Sequence, residues 1–467
     1  MRATLTLAAL GILVAALTWA AIATAHATAA ELPRHLLLYI GAGAAWSASL
    51  AIVPRLARAP EQLVIVFIVA VALRAPAWAA EPAHSDDVYR YVWDARVARA
   101  GVNPYRWAPD APELAHLRDG NWARINNREL PTIYPPAAQL AFRLASSLPV
   151  APLAGWKLLV AAFDLATLAL VAWWLARRGG DARLAIAWGW SPLVALELGM
   201  NLHLDGLGIA LLTAALVASE RGRRAWAGAL LGAATAVKLV GLAILPGLRS
   251  RRAALAFAAV LVLAAAPFWS AGARLRGSLG EYGRRWRSND GAFAVLHAGA
   301  EAVVTHSRFA ARHELAGWPR VARAITGRDR DQVFPDEAAN LLARLAAFAL
   351  FAAAVAAALR ARLRPTRFAA VALGAFLLLA PALHPWYVLW MLPLVAAGAS
   401  PAWWALAALA PLGYWPLGEF RAGAGWHDPL WTRALEHGLT WALLAAGWWR
   451  ARSALTGRDP PVISETS

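Results

Sequence analysis

Cysteine is absent from this chain of 467 residues, which excludes disulfides, thiolate nucleophiles and zinc–cysteine sites. Acidic residues are scarce, 28 against 45 lysines and arginines, giving a formal net charge of +17. Missing as well are a Gly-rich phosphate loop and a soluble cytoplasmic stretch large enough to hold a nucleotide or nucleotide-sugar. An activated substrate must then arrive in the membrane. What the chain has in abundance is apolar surface: 60% apolar residues, 25 tryptophans and a mean hydropathy of +0.48. Soluble domains average about 45–50% apolar, so the composition implies a polytopic membrane protein.

The positive charge is not spread as a nucleic-acid-binding face. It falls in the short breaks between apolar runs, at Arg55/Arg58, Arg177/Arg178/Arg183, Arg221/Arg223/Arg224, Arg249/Arg251/Arg252, Arg360/Arg362/Arg364/Arg367 and Arg450/Arg452. That is the positive-inside pattern, and it excludes nucleic acid as the expected partner. Residues 1–30 carry a secretory-signal look, with Arg2, an apolar core and the small residues around Ala25-His26-Ala27. The apolar stretch is longer than the usual ~7–15-residue signal core, which favours an uncleaved first span.

Fewer than 30 residues separate the basic breaks at Arg224 and Arg249. Two spans of ~20 residues do not fit there, but a re-entrant helical hairpin does, with Lys238 near its tip and an acid such as Asp164 as a possible partner. The expected architecture is all-α: a bundle of roughly 11–13 transmembrane helices with two long extracytoplasmic loops and that hairpin. Its parts are N-terminal helices (1–80), a first outer loop (81–136), a core (137–270, hairpin 225–248), a second outer loop (271–340), C-terminal helices (341–450) and a cytoplasmic tail (451–467).

The most informative segment is the polar run His84-Ser85-Asp86-Asp87-Val88-Tyr89-Arg90-Tyr91-Val92-Trp93-Asp94, directly after an apolar span. Ser85 or Asp86 could simply cap the following helix. A cap uses one such residue, though, and this run also supplies Arg90, Tyr91, Trp93 and Asp94. Adjacent aspartates point in different directions, so one of Asp86 and Asp87 can act as general base while the other orients, caps or binds a metal. Asn201, His203 and Asp205 gather polar groups at the outer end of a span, and Glu197 lies one turn before them. His384 opens a later span. Arg284, Arg285 and Arg287 are suited to bidentate phosphate contact, as Lys238 is to supplying charge.

The run Ser85–Asp94, together with Ala100-Gly101-Val102-Asn103-Pro104-Tyr105 and Thr132-Ile133-Tyr134-Pro135-Pro136, resembles bacterial membrane glycosyltransferases of the GT-C superfamily. It is most similar to the family 87-like polyprenol-phosphate mannosyltransferases. Asn201-Leu202-His203-Leu204-Asp205-Gly206, the segment around Lys238, and Leu383-His384-Pro385-Trp386-Tyr387 fit the same pattern. The resemblance implies a GT-C fold whose first outer loop carries the acidic catalytic motif, and an inverting transfer of a hexose, expected to be mannose, from a polyprenyl phosphate. Asp86 or Asp87 is the expected base. Expected donor-phosphate contacts are His384, Lys238, Arg284, Arg285 and Arg287. Substrate contacts would come from Arg90, Tyr91, Trp93, Asn103, Tyr105, Tyr134, Asn201, His203, Asp205, Trp386 and Tyr387.

The partners implied are a polyprenyl-phosphate sugar, an envelope glycan or glycolipid acceptor and the bilayer of a bacterial inner membrane, with the protein a monomer. No cofactor is required by the scheme, although the aspartate pair could take Mg²⁺ or Mn²⁺. A transporter or flippase of lipid-linked sugars is the alternative; it predicts paired repeats and a midplane site.

Overall fold

The computed structural model describes residues 1–306 and 335–456. These fold as helices joined by short loops, with an isolated parallel bridge between Ser288 and Ala382. Three long helices, α1 (Arg2–Ala23), α2 (Leu32–Ile52) and α3 (Glu61–Ala79), cross the bundle in succession. Two helices of the first loop follow, α4 (Asp87–Arg99) and α5 (Pro136–Ser146), and then α6 (Pro152–Arg177). The next stretch does not form one continuous helix. It breaks into α7 (Ile186–Gly189), α8 (Pro192–Val194) and a π-helical turn, Ala195–Met200, every residue of which is buried.

Beyond it come α9 (Asp205–Glu220) and α10 (Arg224–Val237). Lys238 ends α10 in an extended conformation, and a 3₁₀ run, Leu239–Leu248, leads back to α11 (Arg251–Ala265). The second loop contains α12 (Leu279–Arg285) and α13 (Ala292–His306), the latter packed on α14 (Pro335–Arg360). The C-terminal part is α15 (Pro365–Leu379), a 3₁₀ run Pro385–Met391 entering α16 (Leu392–Ala396), α17 (Ala402–Leu409), α18 (Pro416–Arg421) and α19 (Leu430–Thr456). Six described helices are long and apolar enough to cross a bilayer, and shorter apolar ones such as Pro365–Leu379 and Pro385–Ala396 accompany them.

The two ends of the bundle differ in chemistry. One end is ringed with arginine. Arg183 donates to Gln62 Oε1 at 2.6 Å and pairs with Asp181, which Arg58 also approaches. Glu220 receives Trp174 and Thr366 there, and Arg249 donates to the Leu359 carbonyl. The opposite end gathers the α1–α2 and α3–α4 connections: Arg421 donates to the carbonyls of Ala27 and Ala83. Between the ends lies a buried ion pair, Arg74 to Asp164, with Nε–Oδ2 at 2.6 Å and Nη2–Oδ1 at 2.9 Å. Trp188 Nε1 also donates to Asp164, tying α3, α6 and α7 together. Asp164 is therefore not the partner of Lys238.

Candidate active site

The acidic pair sits where α4 begins. Asp86 occupies the N-cap position but makes no capping bond with its side chain; the backbone N–H of Asp87 donates instead to Ser85 Oγ at 3.3 Å. Both carboxylates thus stand at the positive end of the helix dipole, free of a capping duty. They diverge. Asp86 is exposed, and its carboxyl is raised from the ordinary aspartate range, first by its low-dielectric surroundings and then by the like charge of Asp87. Asp87 turns inward, with Oδ2 at 3.8 Å from His203 Nδ1.

His203 is fully buried and stacks on Trp386, ring centroids 3.9 Å apart; Trp386 in turn lies parallel to His384 at 4.5 Å. Next to this stack, Tyr387 meets the Tyr282 hydroxyl at 2.7 Å and lies under the Lys238 ammonium, 4.1 Å from its ring centre. Lys238 Nζ contacts both oxygens of Asp205, at 2.7 and 2.9 Å, and Trp390 Nε1 donates to the same carboxylate at 2.5 Å. Asp87, His203, His384, Trp386, Tyr387, Lys238 and Asp205 thus form one connected patch. Asp87, His384, Trp386, Tyr387 and Lys238 are its partly open members. Burial, together with the neighbouring Lys238 ammonium, pushes His384 down to about 3, so its ring is a neutral donor–acceptor.

Behind the patch is a buried polar layer. Glu197, on the π turn, accepts from Tyr414 at 2.8 Å, Asn201 at 3.0 Å and Tyr39 at 3.3 Å, and lies 3.4 Å from His203 Nε2. Asn201 Oδ1 receives the backbone N–H groups of Ala83 and His84, which fixes the approach to Asp86. Leu202, between Asn201 and His203, has φ of 61°. A leucine there is strained, and such conformations persist only where the surroundings hold them. Here the Leu202 carbonyl is held by Trp156 Nε1 at 2.8 Å.

Other expected contacts build the loop. Arg90 pairs with Asp94, which also accepts from Thr132 and Gln139. Tyr91 and Trp93 are buried, Tyr91 among Tyr134, Phe142 and Trp156. Asn103 donates to the Phe268 carbonyl, and Tyr105 to that of Tyr134. Arg284 engages Glu281, and Arg287 engages Asp290; the side chain of Arg285 lies outside the described residues. Segment 286–289 still borders the patch, because Asn289 Nδ2 reaches the Leu383 carbonyl, next to His384. Tyr282, Trp390 and Tyr414 were not singled out from sequence as site residues; each lies in an aromatic-rich stretch that offers no signal of which ring turns inward. Among the described residues there is no group of three or more His, Asp or Glu that could hold a metal ion.

Residues 1–254 match the family model described as α-(1→6)-mannopyranosyltransferase, N-terminal domain, and residues 132–381 match that of glycosyltransferase family 87. No curated protein matches the chain. No solved structure matches it either. The two family matches overlap and together run from α1 to the edge of the His384 segment, so they take in the acidic pair, the π turn and Lys238. They decide for an enzyme over a transporter. On this footing the chain belongs to the α-(1→6)-mannopyranosyltransferase family and to glycosyltransferase family 87, and it is a multi-pass membrane mannosyltransferase of the GT-C type.

Proposed function

We propose that the protein moves a mannosyl residue from a polyprenyl phosphate to a hydroxyl of an envelope glycan or glycolipid, at the outer face of a bacterial inner membrane. The observation that carries this reading is the placement of Asp87, Lys238 and His384 in one patch at the end of the bundle opposite the arginine ring. Arginine-rich ends stay cytoplasmic, so the patch faces outward, where a sugar reaches it on a lipid carrier.

In this mechanism Asp87 takes the proton from the acceptor hydroxyl as that oxygen attacks the anomeric carbon. The bond from that carbon to the phosphate oxygen breaks, and configuration inverts. The Lys238 ammonium offsets charge on the departing phosphate, and neutral His384 and the Tyr282–Tyr387 hydroxyl pair offer hydrogen bonds to it. A β-linked donor then yields an α-linked product, which agrees with the linkage in the family's description.

The test is transfer from polyprenyl-phosphate mannose in liposomes. Asp87→Asn is expected to lose about 10²–10⁴ of the rate, the share a positioned base contributes, with Asp86→Asn losing much less. Wild-type rates for Asp87→Asn would refute the base assignment, and direct use of a nucleotide-mannose would refute the lipid donor.

A further inference from the structure

His203 has a surrounding that a packing role does not require. It is completely buried, and neither ring nitrogen has a hydrogen-bond partner among the described residues. Each nitrogen nevertheless lies near a carboxylate: Nε2 is 3.4 Å from Glu197 Oε2, and Nδ1 is 3.8 Å from Asp87 Oδ2. Glu197 is itself fully buried, and it accepts hydrogen bonds from three neutral donors, Tyr39, Tyr414 and Asn201, besides lying against His203. A buried carboxylate is costly without a cation or a shared proton, and the imidazole is the group placed to supply one.

We propose that His203 receives the proton that Asp87 takes from the acceptor hydroxyl, with Glu197 holding the imidazolium that results. Before transfer, in this scheme, the neutral ring keeps its proton on Nε2, on the side of the Glu197 carboxylate 3.4 Å away, which fixes the tautomer and leaves the Nδ1 lone pair on the side of Asp87. The acceptor O–H bond breaks as an Asp87 O–H bond forms. That bond then breaks as Nδ1–H forms; once the product has left, the proton returns through the partly open Asp87 to solvent, and both Asp87 and the ring regain their starting state for the next turnover. His203 and Glu197 act through Asp87 and are positioning residues.

The other titratable groups around the ring leave this role to His203. His84, on the approach to α4, is kept well below the ordinary histidine range by burial first, and by its neighbours His35 and Arg421. His384 lies beyond the Trp386 ring and is neutral. Tyr39 on α2 and Tyr414 reach Glu197 rather than the imidazole, and the Asp205 carboxylate is paired with Lys238.

This proposal rests on Asp87 as the base, and the experiment separates the two. The pH dependence of kcat is measured in liposomes for the wild type, Glu197→Gln and Asp87→Asn. Loss of Glu197's charge lowers the proton affinity of His203. Glu197→Gln is therefore expected to lower kcat about 10–100-fold, with KM for both substrates little changed. Its acid limb should move to lower pH by about one unit or more. A folded Glu197→Gln enzyme with wild-type kcat overturns the relay, and so does one whose kcat falls while the limb stays in place. Asp87→Asn reports on the base by itself. Should Glu197→Gln fail to fold, Tyr414→Phe carries the test. It removes a donor from the carboxylate, tightens the proton shared with His203 and moves the limb to higher pH; an unmoved limb overturns the relay.

Discussion

The buried pair between Arg74 and Asp164 offers a sharp test of how the bundle holds its site. The two side chains are 0% and 1% exposed. Replacing Arg74 with Met leaves the Asp164 carboxylate inside the bundle with Trp188 as its remaining side-chain donor, and removing one partner of a buried pair costs about 3–5 kcal/mol. Asp164→Leu strands the guanidinium at a similar cost. The double variant Arg74→Met/Asp164→Leu removes both charges, and well-packed apolar replacements of buried pairs are often neutral. It still takes a donor from the Gly189 carbonyl, which Arg74 Nη1 contacts at 2.6 Å, a loss of about 1–3 kcal/mol. The double variant should thus be clearly more stable than either single one. Unfolding titrated with SDS in mixed micelles measures all four corners of the cycle. A double variant whose loss equals the sum of the single losses would refute the reasoning, since independent sites add.

Asp86 binds its proton more tightly in the folded protein than in the unfolded chain. Its ionisation therefore costs stability as pH rises through the folded value. Asp86→Asn should raise the melting temperature at about pH 8 and gain little at about pH 3; an equal gain at both would sink that account. His384 stays neutral across the working range, so the loss of rate in His384→Gln should be the same at about pH 5.5 and pH 8. A loss that grows towards acid would mean the imidazole works as a cation. Gly208 packs against Trp390, where an added Cβ would meet the indole at 2.4 Å. Gly208→Ala should displace the ring that donates to Asp205, at about 1–3 kcal/mol and with a loss of transferase activity. Wild-type stability and rate together would refute that contact.

The acidic motif, the arginine ring and the helical bundle could be read from the chain because each is written locally, in a run of neighbours or a hydropathy pattern. Pairing across the bundle could not. Lys238 finds Asp205, 33 positions away, and Asp164 finds Arg74, 90 positions away; nothing in periodicity distinguishes these partners from the alternatives. Within the expected core, the apolar stretch 184–200 is split into α7, α8 and a π turn: Ser191-Pro192 interrupts the ladder, and a π turn leaves no compositional mark. Arg90, Tyr91 and Asn103 are expected substrate contacts by resemblance, and the intramolecular partners they take could not be read from sequence. Their side chains close the first outer loop on itself and on the bundle. Asp86 and Asp87 were equivalent in sequence, and only the backbone at the start of α4 turns one outward and the other toward His203.

The clamp on Leu383 has a practical consequence. Glu436, on the last helix, receives Asn289 Nδ2 at 2.9 Å, and the same amide holds the Leu383 carbonyl just ahead of His384. The far C-terminal helix is thereby wired to the donor side of the reaction centre, while the aspartates come from the first quarter of the polypeptide. No fragment ending near residue 254 can carry a complete centre, so a minimal enzyme has to be sought by splitting the chain and co-expressing the halves, not by trimming it.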